Sequence, residues 1–494
     1  MIEITQSFAG GGEDRLHLRT ANLLLTTILC GVVPAAAQYN SGLGAMTSYG
    51  TSQSSARGQG TVFTGSVPSG PATNEVVRLT LRDAVNRALR YNLGTIESGE
   101  NVTAARGQRL LALSNLLPQV SAGVTENVDQ TSIAVLGIKN VPQIPGVIGP
   151  FSYSSADASV SATLFNFSSI QRLRGARTAE EATKLSYQDT LDAVTLVVGN
   201  AYLQVIESAS RIEAQEAQVR NAQALYDQAL DSFQAGTAPK IDVTRTEVQL
   251  HTEQYNLSVA RNNFDVAKLN LARAIGLPLG QQFDLADRLP YADINPPTVD
   301  EALKSAYNSR SDFRSALDLQ KAAERDLSAA RGERYPVVAM NGSYSDIGTT
   351  FGHSNGNFAV QAGVRVPLFT GGRIKGDITE AEASLRQRKA EAENVRGQVD
   401  YDVRTAFLNL NAAKEQVDVG KRNVALANES LARSKDRFTS GVTDSVEVVQ
   451  AEQALASAND QYITSVYNHS LAKLALARAL GVARTDYSQY LGRK

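Results

Sequence analysis

One periodicity limits what this chain can fold into. From Leu191 an apolar residue returns at every seventh position: Val198, Val205, Ile212, Val219, Tyr226 and Phe233. A second ladder follows at Val243, Leu250, Leu257, Phe264 and Leu271. Moved by 205 residues, the same pair of ladders recurs: Val403, Leu410, Val417, Val424, Leu431 and Phe438, then Val448, Leu455, Tyr462, His469 and Leu476. A straight helix drifts off a seven-residue repeat within a few turns, so ladders this long predict helices supercoiled about one another. The second seam position is small, as at Ala201, Ala222, Ala229, Ala406 and Ala413. Alternating large residues with Ala lets backbones approach closely, unlike a leucine zipper. On the ladders alone, a pair of soluble four-helix-bundle hairpins remains an alternative.

Around the ladders the chain repeats one plan. Thr80-Leu81-Arg82-Asp83-Ala84-Val85 matches Thr298-Val299-Asp300-Glu301-Ala302-Leu303 at an offset of 218, and Pro118 matches Pro336 at the same offset. Thr80 is a natural N-cap. A helix is predicted from about Ile96 to Leu116, stopped by Pro118. The period then changes to two: Val120, Ala122, Val124 and Val128 alternate with polar residues, and a second alternating run spans Phe151 to Phe167, after a loop with Pro142, Pro145 and Pro150. The copy has strand-like runs at 337–347 and 357–369. In the last, Phe358, Val360, Ala362, Val364, Val366 and Leu368 share one face, with Gln361 and Arg365 on the other. Both return helices end in nearly the same words, Ala267 to Gly276 and Ala472 to Gly481, with Gly as the stop.

Boundaries follow. Residues 1–37 read as a secretory signal: Arg15 and Arg19, an apolar stretch from Ala21 to Val33, and a small-residue site at Ala35-Ala36-Ala37. Bulky Leu29 argues against lipidation of Cys30, and cleavage after Ala37 leaves no cysteine. Residues 38–75 form a flexible Ser/Gly-rich leader. The first repeat is 76–297, with strands at about 119–167 and a hairpin at about 171–276. Its last segment, Leu277 to Pro297, reads as irregular. The second repeat is 298–485, with strands at about 337–369 and a hairpin at about 373–481. Residues 486–494 are a tail. A net charge of −2 gives no sign of a nucleic-acid binder.

Lengths fit this plan. A long helix of roughly 95 Å can pack against a return helix of roughly 53 Å and a third of about 30 Å stacked end to end. The strands have the length and alternation of outer-membrane barrel strands. Four cannot close a pore, but three chains would supply twelve and remove every edge. A soluble four-stranded sheet on a helical stalk is the alternative.

With the duplicated plan, the run Val366-Pro367-Leu368-Phe369-Thr370-Gly371-Gly372 and the tip motif Arg437-Phe438-Thr439-Ser440-Gly441-Val442-Thr443-Asp444, residues 76–485 resemble the TolC-like outer-membrane efflux proteins. The first half departs from the pattern at Thr163-Leu164-Phe165, where the usual Pro is missing. The resemblance implies a mainly α chain with a membrane β-barrel. It implies a homotrimer with a twelve-stranded barrel in outer-membrane lipid and a long periplasmic coiled-coil tunnel. It also implies a passive export duct for a tripartite efflux or type I secretion system. The partners would be a periplasmic adaptor and an inner-membrane transporter, the adaptor docking at the hairpin tips: Gly236 and Thr237, and Gly441, Val442 and Thr443. Acidic residues after the second tip ring a periplasmic constriction in the family. Glu447 matches the first of these, whereas Gln450 stands where a second acid is expected.

No catalytic, cofactor or metal motif appears. His17, His251, His353 and His469 are scattered, and no Walker loop, nucleophile elbow or dinucleotide fingerprint is present. Export energy would come from a partner. A secreted coiled-coil scaffold or adhesin without a pore is the competing function class.

Overall fold

The computed structural model describes residues 63–132, 146–287, 294, 296–350 and 353–490. The expected signal segment, Cys30, most of the leader and the loop with Pro142 and Pro145 lie outside the described residues.

The first repeat opens with strand β1 (Val77–Leu79), then helices α1 (Leu81–Tyr91) and α2 (Leu93–Ser114). Strands β2 (Gln119–Ser132) and β3 (Val147–Phe165) follow, then α3 (Phe167–Gln234) and its return helix α4 (Lys240–Ile275). Strand β4 (Phe283–Leu285) precedes the second repeat: α5 (Val299–Ser309), α6 (Ser311–Gly332), β5 (Val337–Gly348), β6 (Ser354–Arg365), α7 (Arg373–Thr439) and α8 (Ser445–Ala479). A last helix, α9, covers Ala483–Tyr490, so the expected tail at 486–494 is helical as far as residue 490.

The long helices have 68 and 67 residues, about 100 Å each. The heptad positions form their seams. Val194, Val198 and Val205 in α3, Val399 and Val403 in α7, and Val448 and Leu476 in α8 are fully buried. Three apolar clusters hold the helices. One joins α1, α3 and α4 around Val85, Val198, Tyr202, Leu271 and Ile275. Its counterpart in the second repeat joins α5, α7 and α8 around Ala302, Val403, Phe407 and Leu476. The third, near the hairpin ends, packs Leu225 against Leu431, Val448 and Leu455.

Both short helices start on a reciprocal cap. Thr80 Oγ1 accepts from Asp83 N–H (3.1 Å) while Asp83 Oδ2 accepts from Thr80 N–H (3.2 Å). Thr298 and Glu301 do the same. Asn166 starts α3 earlier than the sequence suggested, because its side chain caps Ser169 N–H at 3.2 Å.

The structure corrects three expectations. The segment from Leu277 to Pro297 is not wholly irregular: Phe283–Leu285 pairs in parallel with Val77–Leu79. The leader is not free throughout, because residues 63–75 are tied to the first repeat. Val67 N–H donates to Tyr91 O (2.8 Å), Ser69 N–H to Gly276 O (3.0 Å) and Thr73 N–H to Gln281 Oε1 (2.7 Å). The last sheet strand ends at Arg365, so Val366 and Leu368 lie in the connection to α7. Pro367 has no N–H for a ladder, and Gly371 and Gly372 turn the chain at positive φ. The first half, lacking that Pro, passes from β3 into α3 through one residue.

Candidate channel wall and hairpin tips

The sheet has the order β2-β3-β5-β6, antiparallel throughout. Its register sorts the side chains. Val124 lies opposite Ala156, Ala162 opposite Met340, Tyr344 opposite Phe358 and Val338 opposite Val364, all on one face. The other face pairs Ser121 with Ser159 and Asn341 with Gln361, and carries Arg365. There Ser121 and Ser159 share a hydrogen bond (2.8 Å), as do Thr125 and Ser155 (2.6 Å). Phe358, Val360 and Val364 are about 70% exposed (77%, 71% and 67%) within one chain. Val366 and Leu368 are exposed too, beyond the strand. Strands β2 and β6 are the edges, and each has a neighbour on one side only among the described residues.

The helices show the same incompleteness. Helix α6 packs between α3 and α7, and α8 packs against both long helices. The outer faces of α4 and α7 carry exposed apolar residues seven apart: Val248 and Tyr255, Tyr401 and Leu408.

Each tip is a short turn. Gly236 (φ 75°) and Gly441 (φ 72°) supply left-handed backbone. Thr237 donates from both N–H and hydroxyl to Ser232 O (2.9 Å each), and Val442 N–H donates to Arg437 O (3.0 Å), leaving the Val442 side chain exposed. Asp444 caps α8 through Val446 N–H (3.2 Å). Glu447 is engaged inside its own hairpin. It accepts from Thr443 Oγ1 (2.7 Å) and Ser434 Oγ (3.4 Å), with Arg437 3.5 Å away. The two tips are joined by Ser445 Oγ donating to Asp242 Oδ1 (2.8 Å) and by Gln228 to Thr439 (3.2 Å). Farther along the hairpins, buried Glu253 accepts from Gln249 (2.6 Å) and Asn256 (3.4 Å).

A charged belt crosses the middle. Arg310 reaches Asp312 (2.6 Å) and Asp402 (2.8 Å), and Arg478 reaches Asp189 (2.5 Å). Asp192 accepts from Arg484 N–H at 3.2 Å. Burial pushes the carboxyls of Asp189 and Asp192 above their usual range despite Arg478. Burial acts the same way on Asp312, but the Arg310 guanidinium outweighs it and holds that carboxyl low. This belt, and the buried Asp287 carboxylate that takes Leu81 N–H (2.9 Å) and Tyr202 OH (3.0 Å), escaped the sequence reading. Lone charges have no period, and the pairs that tie the belt together, Arg310 with Asp402 and Arg478 with Asp189, lie far apart in the chain. His469 is buried in the α8 seam. Among the described residues no three His, Cys, Asp or Glu side chains gather as metal ligands.

The family model described as outer membrane efflux protein matches this chain twice, at residues 97–277 and 302–482. The chain belongs to the outer membrane efflux protein family. It is 24% identical to the outer membrane protein TolC of Salmonella enteritidis over 381 residues, 75% of each chain. It is 25% identical to the toluene efflux pump outer membrane protein TtgC of Pseudomonas putida over 435 residues, 83% of each. Among solved structures it resembles the outer membrane protein VceC of Vibrio cholerae (TM-score 0.70, 17% identity, 81% of this chain and 96% of that one). It also resembles the Campylobacter jejuni CmeC outer membrane channel (TM-score 0.70, 16% identity, 87% and 93%). The two matches of the family model fall on the two copies of the hairpin plan. As a member of this efflux family, the protein belongs in the outer membrane.

Proposed function

We propose that three copies of this chain close into one passive export duct, a twelve-stranded barrel continued by a helical tunnel, serving a periplasmic adaptor and an inner-membrane pump. The observation that carries this reading is the two-faced sheet with two unpaired edges. An apolar outer face beside a polar inner one suits lipid outside and water inside, and edge pairing between copies leaves no strand uncovered. The exposed apolar ladders of α4 and α7 support the same closure, because they lie on the outer faces of the hairpins. The scaffold without a pore draws no support from the sheet or the relatives. The test is outer-membrane fractionation followed by electrophoresis in mild detergent. A heat-sensitive trimer is expected; a monomer in the soluble fraction refutes the duct.

Three finer assignments belong to this reading. Phe358, Val360 and Val364 face hydrocarbon and Gln361 the lumen, so Val364→Arg costs about 2–4 kcal/mol near mid-membrane. Equal insertion of Val364→Arg and Gln361→Arg would refute that. The adaptor docks at Gly236, Thr237, Gly441, Val442 and Thr443. Cysteines at Thr237 or Val442 should crosslink to it in cells, and their failure in an active pump removes the docking. Glu447 stands in the first turn of α8, close to the threefold axis, and forms a ring of charge at the constriction. Its bonds to Thr443 and Arg437 orient it without burying it. Glu447→Gln should lower block by multivalent cations with trimer yield unchanged; unchanged block leaves Glu447 as a turn-locking residue only.

A further inference from the structure

The four-stranded sheet holds five charged residues among its described positions: Glu126, Asp129, Asp157, Asp346 and Arg365. The register divides them. Glu126 and Asp346 stand on the apolar face towards the loop end, where each accepts a serine hydroxyl, Ser154 at 3.0 Å and Ser354 at 2.8 Å. Asp129, Asp157 and Arg365 stand on the polar face. Of these, Asp157 is central. It lies mid-strand in β3 and pairs with Gly123 on one side and Ser345 on the other, and Ser345 pairs in turn with Asn357. The rung Gly123–Asp157–Ser345–Asn357 therefore has one charge and no basic partner.

Gly123 explains how that charge is accommodated. A Cβ at Gly123 would come within 3.3 Å of Asp157 Oδ1, so the carboxylate lies over bare backbone and is exposed. The cation of this face, Arg365, sits eight residues along β6 from Asn357, about 27 Å away at strand rise. The polar face is thus acidic at mid-height and basic at its helical end.

Resting on the trimeric-barrel reading, we infer that Asp157 is a specificity-determining residue of the barrel lumen: three copies form a carboxylate ring that favours cationic over anionic solutes. Charged rings at a pore wall set ion preference by concentrating counter-ions. In a lumen as wide as twelve strands the field reaches the axis only where screening is weak. The Debye length is about 10 Å at 0.1 M salt and about 3 Å at 1 M. The preference therefore depends on ionic strength, unlike that of a narrow filter.

The test is the reversal potential of single trimers in planar bilayers under a KCl gradient. At 0.1 M, Asp157→Asn should lower the cation-to-anion permeability ratio by about half, with little change at 1 M. Asp157→Glu should keep the preference, which separates charge from fold, and Arg365→Gln should shift the potential the opposite way. The Asp157→Asn shift should persist in a Glu447→Gln background, which separates the lumen from the tip. Asp157→Asn trimers that insert and conduct with a wild-type reversal potential at 0.1 M overturn the inference and leave the barrel standing. A wild-type chain that opens no conductance overturns both.

Discussion

Ten residues occur almost unchanged in two places and do different things. Ala267 to Gly276 closes α4, and Ala472 to Gly481 closes α8, with eight of the ten positions identical. Yet Leu269 is 46% exposed and Leu474 is 2% exposed. Leu474 enters the apolar cluster of the other repeat, against Gly199 of α3, where a Cβ would come within 2.8 Å of its Cδ1. Lys473 is likewise buried, whereas Lys268 lies over the rings of Phe264 (5.4 Å) and Phe283 (4.9 Å). The difference is position in the protomer. Helix α8 packs against both long helices; α4 keeps one flank open. Duplication supplies one pattern, and the flank copy keeps an apolar face that only a neighbour can cover.

The largest test of that contrast removes the two leucines. Leu474→Ala should cost about 2–5 kcal/mol, as for other buried leucines, and lower the thermal midpoint of purified protein. Leu269→Ala should leave the isolated protomer within about 0.5 kcal/mol. Equal losses in monomeric protein would abolish the distinction between inner and flank helices. A loss for Leu269→Ala confined to the trimer would sharpen it.

Four left-handed glycines give a second, smaller contrast. Gly276 and Gly481 stand in the belt and Gly236 and Gly441 at the tips, all with φ between 70° and 75°. A Cβ at Gly276 would meet Tyr91 Cβ at 2.5 Å, and one at Gly481 would meet Arg310 N at 2.9 Å; at the tips nothing lies within 4 Å. Left-handed backbone alone costs a side chain about 1–2 kcal/mol. Alanine at either tip should therefore cost about that, and alanine in the belt about 2–4 kcal/mol once crowding is added. Denaturant titration of the four variants measures the gap, and a tip loss as large as a belt loss would point to contacts a single chain lacks.

These pairs also explain what the sequence could reveal. The heptad ladders, the two hairpins and both capping Thr residues are local or periodic, so a linear reading finds them. Strands β1 and β4 have three residues each and pair across about two hundred positions, too short for any period. The alternation through Val366 and Leu368 continues past Pro367, but hydrogen bonding stops at Arg365: period-two patterning reports a face, and a strand needs donors as well. Asp157 stood in plain view in a Ser-rich strand. Its importance lies in the register that places Gly123 beside it, which no single strand contains.

The caps should show where the repeats agree. Thr80→Ala and Thr298→Ala each remove a reciprocal bond at a helix start and should cost about 1 kcal/mol apiece. Asp287 adds a bond to Leu81 N–H in the first repeat. Thr80→Ala should therefore be the milder of the two, and melting both variants side by side decides it.

The smallest expected effect uses the pair Glu247 and Glu452, equivalent positions at the 205-residue offset. Glu247 is exposed on α4, while Glu452 is buried on α8. Burial is the largest influence on Glu452 and pushes its carboxyl above the usual 4.5; Lys435, 3.5 Å away on α7, pulls it down, and Glu253 on α4 pushes it up again. A carboxyl with a raised folded-state pKa binds its proton more tightly in the folded chain. Its contribution to stability therefore grows as pH falls through the raised value towards 4.5, and is lost as pH rises. At neutral pH the ionised group is a net cost, because burial disfavours its charge more than partly solvated Lys435 compensates, and Glu253 adds to the opposition. Glu452→Gln should then melt at or slightly above wild type near pH 7.5, and wild type should overtake it as pH falls. A flat offset for Glu452→Gln across that range would mean that the buried acid on α8 keeps its ordinary titration, and that inner and flank copies differ in packing but not in charge.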